Sequence, residues 1–106
     1  MAVYFISRHL GAVDWAKQNH IHFDLHLTHL TDIEMLQPND VVIGTLPMNI
    51  VAMLTHKNVR YIHLSLKIPV ELRGIELTAQ QLDVCRASLE EFEVIQKPFC
   101  PTDIGK

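Results

Sequence analysis

The 106-residue chain reads as an α/β fold built on a mostly parallel sheet. Two short apolar runs, residues 2–7 (AVYFIS) and 40–45 (DVVIGT), lack the alternation of a half-exposed strand, so each suits a strand buried on both faces. A third run, residues 59–66 (VRYIHLSL), has the same character. Stretches with helical spacing separate these runs, and parallel neighbours need such crossovers.

The elements follow in order. After residues 2–7, Gly11 closes a turn, and AVDWAKQN predicts a short helix over 12–19 with Val13, Ala16 and Trp15 facing inward. HIHFDLHLTH then alternates with period two: Ile21, Phe23, Leu25 and Leu27 share one face, while His20, His22, Asp24, His26 and Thr28 share the other. That pattern predicts an edge strand with one wet face. Thr31 and Glu34 have the spacing of a capping box opening a short helical turn, which QPND closes. Pro47 suits the first turn of a helix carrying Ile50, Val51 and Leu54 on one face. An irregular segment, residues 67–77, leads to a second capping box at Thr78 and Gln81, with Leu77 and Leu82 placed as a hydrophobic staple. Leu82, Cys85, Leu89 and Phe92 recur at helical spacing and predict a helix over 79–92. EVIQ (93–96) is a candidate last strand, and residues 97–106 form an expected flexible tail.

Right-handed crossovers between such strands give a Rossmann-like three-layer sandwich of four to five strands, forming a single domain over residues 1–106. Ligands in such folds sit beyond the carboxyl ends of the strands, at the point where the strand order reverses. That rule gathers Ser7, Arg8 and His9, the Gly44, Thr45, Leu46 and Pro47 turn, and Ser65 with its following loop.

Composition narrows the partners. Hydrophobic residues make up 48% and charged ones 20% of the chain, as in an ordinary globular protein. The apolar runs are too short to span a membrane, and MAVYFISRH lacks the features of a secretory signal. Cys85 and Cys100 lie far apart without a CxxC spacing and read as reduced structural thiols. The expectation is a soluble cytoplasmic protein. The net charge of −3, with Glu71, Glu76, Asp83, Glu90, Glu91 and Glu93 toward the C-terminus, argues against tracking a long nucleic acid, which calls for a basic face. A small anion held by a few focused donors is compatible with it.

Several residues are candidates for chemistry. Arg8 carries a planar fork suited to phosphate, and His9 can exchange a proton near neutral pH. The alternative is a surface turn in which Arg8 pairs with an acidic neighbour and His9 is solvated. Gly44 and Thr45 before Pro47 resemble a phosphate-binding turn at a helix start, or equally a plain connection. No GxGxxG and no GxxxxGK[ST] is present. Arg73, beside Gly74, is either a second phosphate clamp or an exposed loop charge. His63, inside an apolar strand, reads as a hydrogen-bonded core histidine. His20 and His22 could chelate zinc from one strand face, but His26 lies roughly 13 Å from His22 at about 3.3 Å per residue and cannot join them. A solvated strand face explains them better, and no metal or other cofactor is expected. Neither a GxSxG elbow nor a close carboxylate pair at a strand end is present, so acyl transfer and glycoside hydrolysis are unsupported.

Taken in order, SRHLGAVDWA, DVVIGTLPMNIVA and YIHLSL followed by ELRGIELTAQQL resemble the small CRISPR-associated accessory proteins of type III systems grouped among the ring nucleases. The resemblance runs from the first strand to the last helix and leaves out the tail after Phe92. It implies a nucleotide-sensing Rossmann-like domain that dimerises, so that a cyclic oligoadenylate messenger, cyclic tetra-adenylate first among them, sits across the two-fold axis. It also implies metal-independent cleavage, in which a ribose 2′-OH attacks its adjacent phosphate and leaves a 2′,3′-cyclic phosphate and a 5′-OH.

The residues fit that reaction by position. Arg8, the Gly44 and Thr45 amides and Asn49 could stabilise charge on the phosphate oxygens, and His9 could protonate the 5′-oxygen. Ser7, Thr45 and Ser65 could bond ribose or phosphate oxygens. Trp15 could stack on adenine, though core packing suits it better. Only four phosphates need neutralising, and a dimer supplies each donor twice. The rival readings are a binding module that sequesters the messenger uncut, a metal-dependent phosphohydrolase using His20 and His22, and a messenger-activated regulator of transcription, which the lack of a basic helix disfavours.

Overall fold

The structure, a computed structural model, describes residues 1–104. Along the chain run β1 (Val3–Ile6), α1 (Leu10–Gln18), β2 (Leu25–Leu27), β3 (Val41–Gly44), α2 (Met48–His56), β4 (Arg60–Ser65), α3 (Ala79–Val84) and β5 (Ser88–Phe92). Single 3-10 turns occupy Ile33–Met35, Val70–Leu72 and Pro101–Ile104. The five strands form one sheet in the order β2-β1-β3-β4-β5. The β1–β2, β1–β3 and β3–β4 pairs are parallel, and β4–β5 is antiparallel. The sheet is therefore mostly parallel, with one antiparallel pair at its edge.

The unbroken apolar runs lie where both faces are covered. All four residues of β1 and all four of β3 are buried. Because strand side chains alternate, Val3, Phe5, Val41 and Ile43 pack on one face with Val13, Trp15 and Ala16 of α1 and Leu82 of α3. Tyr4, Ile6 and Val42 pack on the other with Val51 and Leu54 of α2 and with Tyr61. Helices thus cover both faces of the central strands. Asp40 is the buried charge beside this core; its carboxylate accepts the Ala2 N–H at 3.0 Å and the Gln37 N–H at 2.9 Å, clipping the chain start to the turn before β3. Those backbone donors, first the one at Gln37, hold the Asp40 carboxyl below its ordinary range against the opposing effect of burial.

Several expected elements are corrected. The helix expected over 79–92 ends at Val84, Arg86 takes a φ of +57°, and residues 88–92 become β5. Leu89 and Phe92, three apart, satisfy a strand as well as a helix by facing opposite ways. Leu89 packs on the α1 and α3 side, while the Phe92 ring meets the His63 ring with centroids 6.0 Å apart. Pairing with β4 decides the matter, since it satisfies the backbone groups of both strands. Residues 93–96 are not a strand; pairing stops at Phe92, and the Val94 N–H turns to the Thr55 hydroxyl at 3.1 Å.

The histidine-rich strand expected over residues 20–29 shrinks to Leu25–Leu27. His20 has a φ of +59°, and Asp24 holds the start of the pairing, its N–H donating to the Val3 carbonyl and its carboxylate accepting the Val3 N–H, both at 2.8 Å. The single apolar face therefore does not form. Ile21 and Phe23 join the α1 side, Leu27 joins the α2 side, and Leu25 is exposed. The first short turn is capped by Asp32, which accepts the Glu34 N–H, rather than by Thr31. The Thr78–Gln81 capping box is present in both directions. Of the expected tail over residues 97–106, residues 97–104 are exposed and residues 105 and 106 lie outside the described residues.

Candidate functional site

The strand order reverses between β1 and β3: the chain passes from β1 outward to β2, then from β3 outward to β4. Parallel strands leave a crevice beyond their carboxyl ends at such a point. A hollow of about 420 Å³ lies there, lined by Ser7, Arg8 and His9 after β1, Thr28 and His29 after β2, and Thr45 after β3.

The exit of β1 is tightly bonded. The Ser7 N–H donates to the Leu27 carbonyl at 2.9 Å, and the Ser7 hydroxyl accepts the His9 N–H at 3.1 Å. The Ser7 carbonyl lies 2.6 Å from His26 Nε2. A carbonyl can only accept, so His26 carries its proton on Nε2. Ser7 is thereby committed to shaping the turn. Among the described residues no ion pair or hydrogen bond engages the Arg8 guanidinium, which is exposed at the mouth of the hollow.

His9 is held from across the chain. Its Nδ1 lies 2.6 Å from Glu76 Oε2 and 3.0 Å from Oε1. A carboxylate accepts, so the proton of this contact sits on Nδ1 and leaves Nε2 as the other working nitrogen. Gly11 makes the approach possible. It is not the turn residue expected from sequence but the second residue of α1, buried, where an added Cβ would fall 1.8 Å from the Leu77 carbonyl oxygen. No side chain fits there, and the backbone just after Glu76 closes onto the start of α1.

The exit of β3 is held by Tyr61, a residue the sequence reading did not single out. Its hydroxyl accepts the Leu46 N–H at 2.9 Å, lies 3.0 Å from the Gly44 carbonyl and 2.6 Å from His63 Nδ1. A hydroxyl has one proton to give, so all three contacts are satisfied when it donates to Gly44 and accepts from Leu46 and from an Nδ1–H of His63. Tyr61 is 2% exposed, and burial raises its phenol above the ordinary value. His63 is thus a hydrogen-bonded histidine, as expected. Gly44 is required as well, since a Cβ would fall 2.8 Å from the Ile6 carbonyl oxygen.

The remaining candidates lie outside the hollow. Asn49 is exposed in the first turn of α2, and Ser65 is half-exposed at the end of β4, opposite Ser88. Arg73 is exposed and its Nε donates to the Ile68 carbonyl at 3.5 Å. Trp15 belongs to the core, its indole donating to Asp83 at 2.9 Å. His22 bonds Asp24 at 3.0 Å, and among the described residues no three His, Cys, Asp or Glu side chains converge as a metal site. A larger hollow of about 850 Å³ lies between α2 and the chain after β5, beside Met53, His56, Lys57 and Ile95. It has no counterpart to the arginine and oriented histidine of the strand-end crevice.

The fold is a mixed α/β sheet with an arginine and an oriented histidine beside the hollow at its switch point. A family model described as "Putative CRISPR-associated protein (Cas_VVA1548)" matches residues 4–95, and the chain belongs to this CRISPR-associated family. No curated protein and no solved structure matches the chain. Among the described residues no helix is long and apolar enough to cross a membrane.

Proposed function

We propose that the protein is a ring nuclease of type III CRISPR defence that binds and cleaves a cyclic oligoadenylate, with cyclic tetra-adenylate as the leading ligand. The observation that carries this reading is the meeting of Arg8, His9 and Thr45 in one strand-end hollow, with the arginine unpaired among the described residues and the histidine oriented by Glu76. The CRISPR-associated family supplies the biological setting, and the sequence resemblance supplies the ligand.

The chemistry follows from these residues. Arg8 binds the phosphate oxygens and stabilises the charge that grows on them. The 2′-oxygen forms a bond to phosphorus as the bond to the 5′-oxygen breaks. The 2′-OH proton passes to solvent, and His9 as imidazolium gives its Nε2 proton to the departing 5′-oxygen before recovering one from solvent. No metal takes part. Thr45 is placed for a ribose or phosphate oxygen. A Rossmann-like dimer with the messenger on its two-fold axis presents each group twice, matching the symmetry of the ligand.

The test is incubation of the purified protein with cyclic tetra-adenylate, with and without a strong chelator, read by product mass. Linear products ending in a 2′,3′-cyclic phosphate, formed equally with chelator, support the reading. Intact messenger bound stoichiometrically would assign the protein to sequestration instead, and cleavage abolished by chelator would assign it to metal chemistry.

A further inference from the structure

We infer that Glu76 is a positioning residue for His9: its carboxylate fixes the imidazole with Nδ1 protonated and turned outward, so that Nε2 is the nitrogen that works in the hollow. The inference deepens the proposed function and rests on it for the proton transfer, though not for the orientation itself.

Three observations carry it. The contact is short and double, with Nδ1 2.6 Å from one carboxylate oxygen and 3.0 Å from the other. It joins residues 67 positions apart, so chain neighbourhood does not enforce it. The surrounding backbone is arranged for it: Gly11 admits the Leu77 carbonyl at a distance no Cβ allows, and the Thr78–Gln81 capping box fixes the chain two residues after Glu76. His9 itself precedes the first turn of α1, its N–H tied to the Ser7 hydroxyl. Both partners of the contact thus stand on anchored backbone.

The arrangement suits a proton donor. The Nδ1–H bond to Glu76 is made whether Nε2 is protonated or bare, so one proton moves at one nitrogen while the ring stays in place.

The test uses the full chain in four forms: wild type, Glu76→Ala, His9→Ala and the double variant. Nitrogen NMR of the His9 ring in its neutral form should show Nδ1–H in wild type and a shift toward Nε2–H in Glu76→Ala. With cyclic tetra-adenylate, Glu76→Ala should lower kcat about tenfold with little change in KM, and should cause no further loss in the His9→Ala background. Glu76→Asp should recover part of the rate if the carboxylate acts by orientation. An unchanged tautomer, or wild-type kcat in Glu76→Ala, would overturn the inference while leaving the proposed function standing. Wild-type protein that leaves the messenger intact would overturn the proposed function, and the tautomer comparison would then decide the orientation by itself.

Discussion

The Tyr61 hydroxyl accepts the Leu46 N–H at 2.9 Å, so a buried phenol of β4 sets the shape of the turn that leaves β3. The same oxygen meets the Gly44 carbonyl, and the rim of the strand-end hollow therefore hangs on one hydroxyl. Tyr61→Phe keeps the packing and orphans both backbone groups. The expected loss is about 1–3 kcal/mol in equilibrium denaturation, with weaker binding of any ligand that touches Thr45. Unchanged stability and binding would contradict the assignment of the hydroxyl as the hub of this turn.

Gly11→Ala tests the close approach of α1 to the segment before α3. A methyl group 1.8 Å from the Leu77 carbonyl oxygen forces backbone apart. The cost is about 1–3 kcal/mol, readable by thermal or chemical unfolding. Because Glu76 precedes Leu77, the His9–Glu76 contact should also loosen. A fully stable variant would show that the two segments do not meet as described.

Much of this was legible in the chain and some was not. The strands β1, β3 and β4 could be read because continuous apolar runs have few other uses in a short protein, although only β1 and β3 are buried throughout and β4 is buried at Tyr61 and Leu64 alone. The capping box at Thr78 and Gln81 could be read because its chemistry is local. The strand β5 was misread, since Leu82, Cys85, Leu89 and Phe92 fit helical spacing and only pairing with β4 reveals the strand. The strand expected across His20 and His22 does not form because His20 takes a φ of +59° and pairing with β1 begins only at Asp24, where both bonds to the Val3 backbone are contacts between distant residues. At the site, Ser7, Arg8, His9 and Thr45 do meet in the hollow, as the strand-end rule implies. Gly44, Asn49, Ser65 and Arg73 do not line it. Glu76 and Tyr61 carried no local signal: one is an acid in an irregular loop, the other an aromatic residue in an apolar strand.

Stability should depend on acid through Asp24 and Asp40. Backbone N–H donors lower both carboxyls in the folded state, from Val3 first for Asp24 and from Gln37 first for Asp40. A carboxyl with a depressed folded pKa contributes stability that is complete above the unfolded value, about 3.9 for aspartate, and is lost as pH falls through the folded value. The melting temperature should therefore fall steeply below about pH 4. Asp40→Asn should lower stability at neutral pH and flatten that acid slope. A slope identical to wild type would contradict the role given to Asp40.

The two side chains at the exit of β1 should separate by effect. Arg8→Ala removes the phosphate-binding fork, so binding of cyclic tetra-adenylate should weaken about tenfold or more and lose part of its salt dependence. His9→Ala should leave binding nearly intact and slow cleavage by about a hundredfold. Direct binding and single-turnover assays distinguish the two. Wild-type behaviour in both variants would remove the site from the mechanism.

The most direct measurement of the central claim is the mass of what remains after the purified protein is incubated with cyclic tetra-adenylate in the presence of a strong chelator. Linear oligoadenylate ending in a 2′,3′-cyclic phosphate and a 5′-OH is the predicted product, formed about a hundredfold more slowly by His9→Ala. Intact messenger after long incubation, or product that His9→Ala makes equally well, would contradict it.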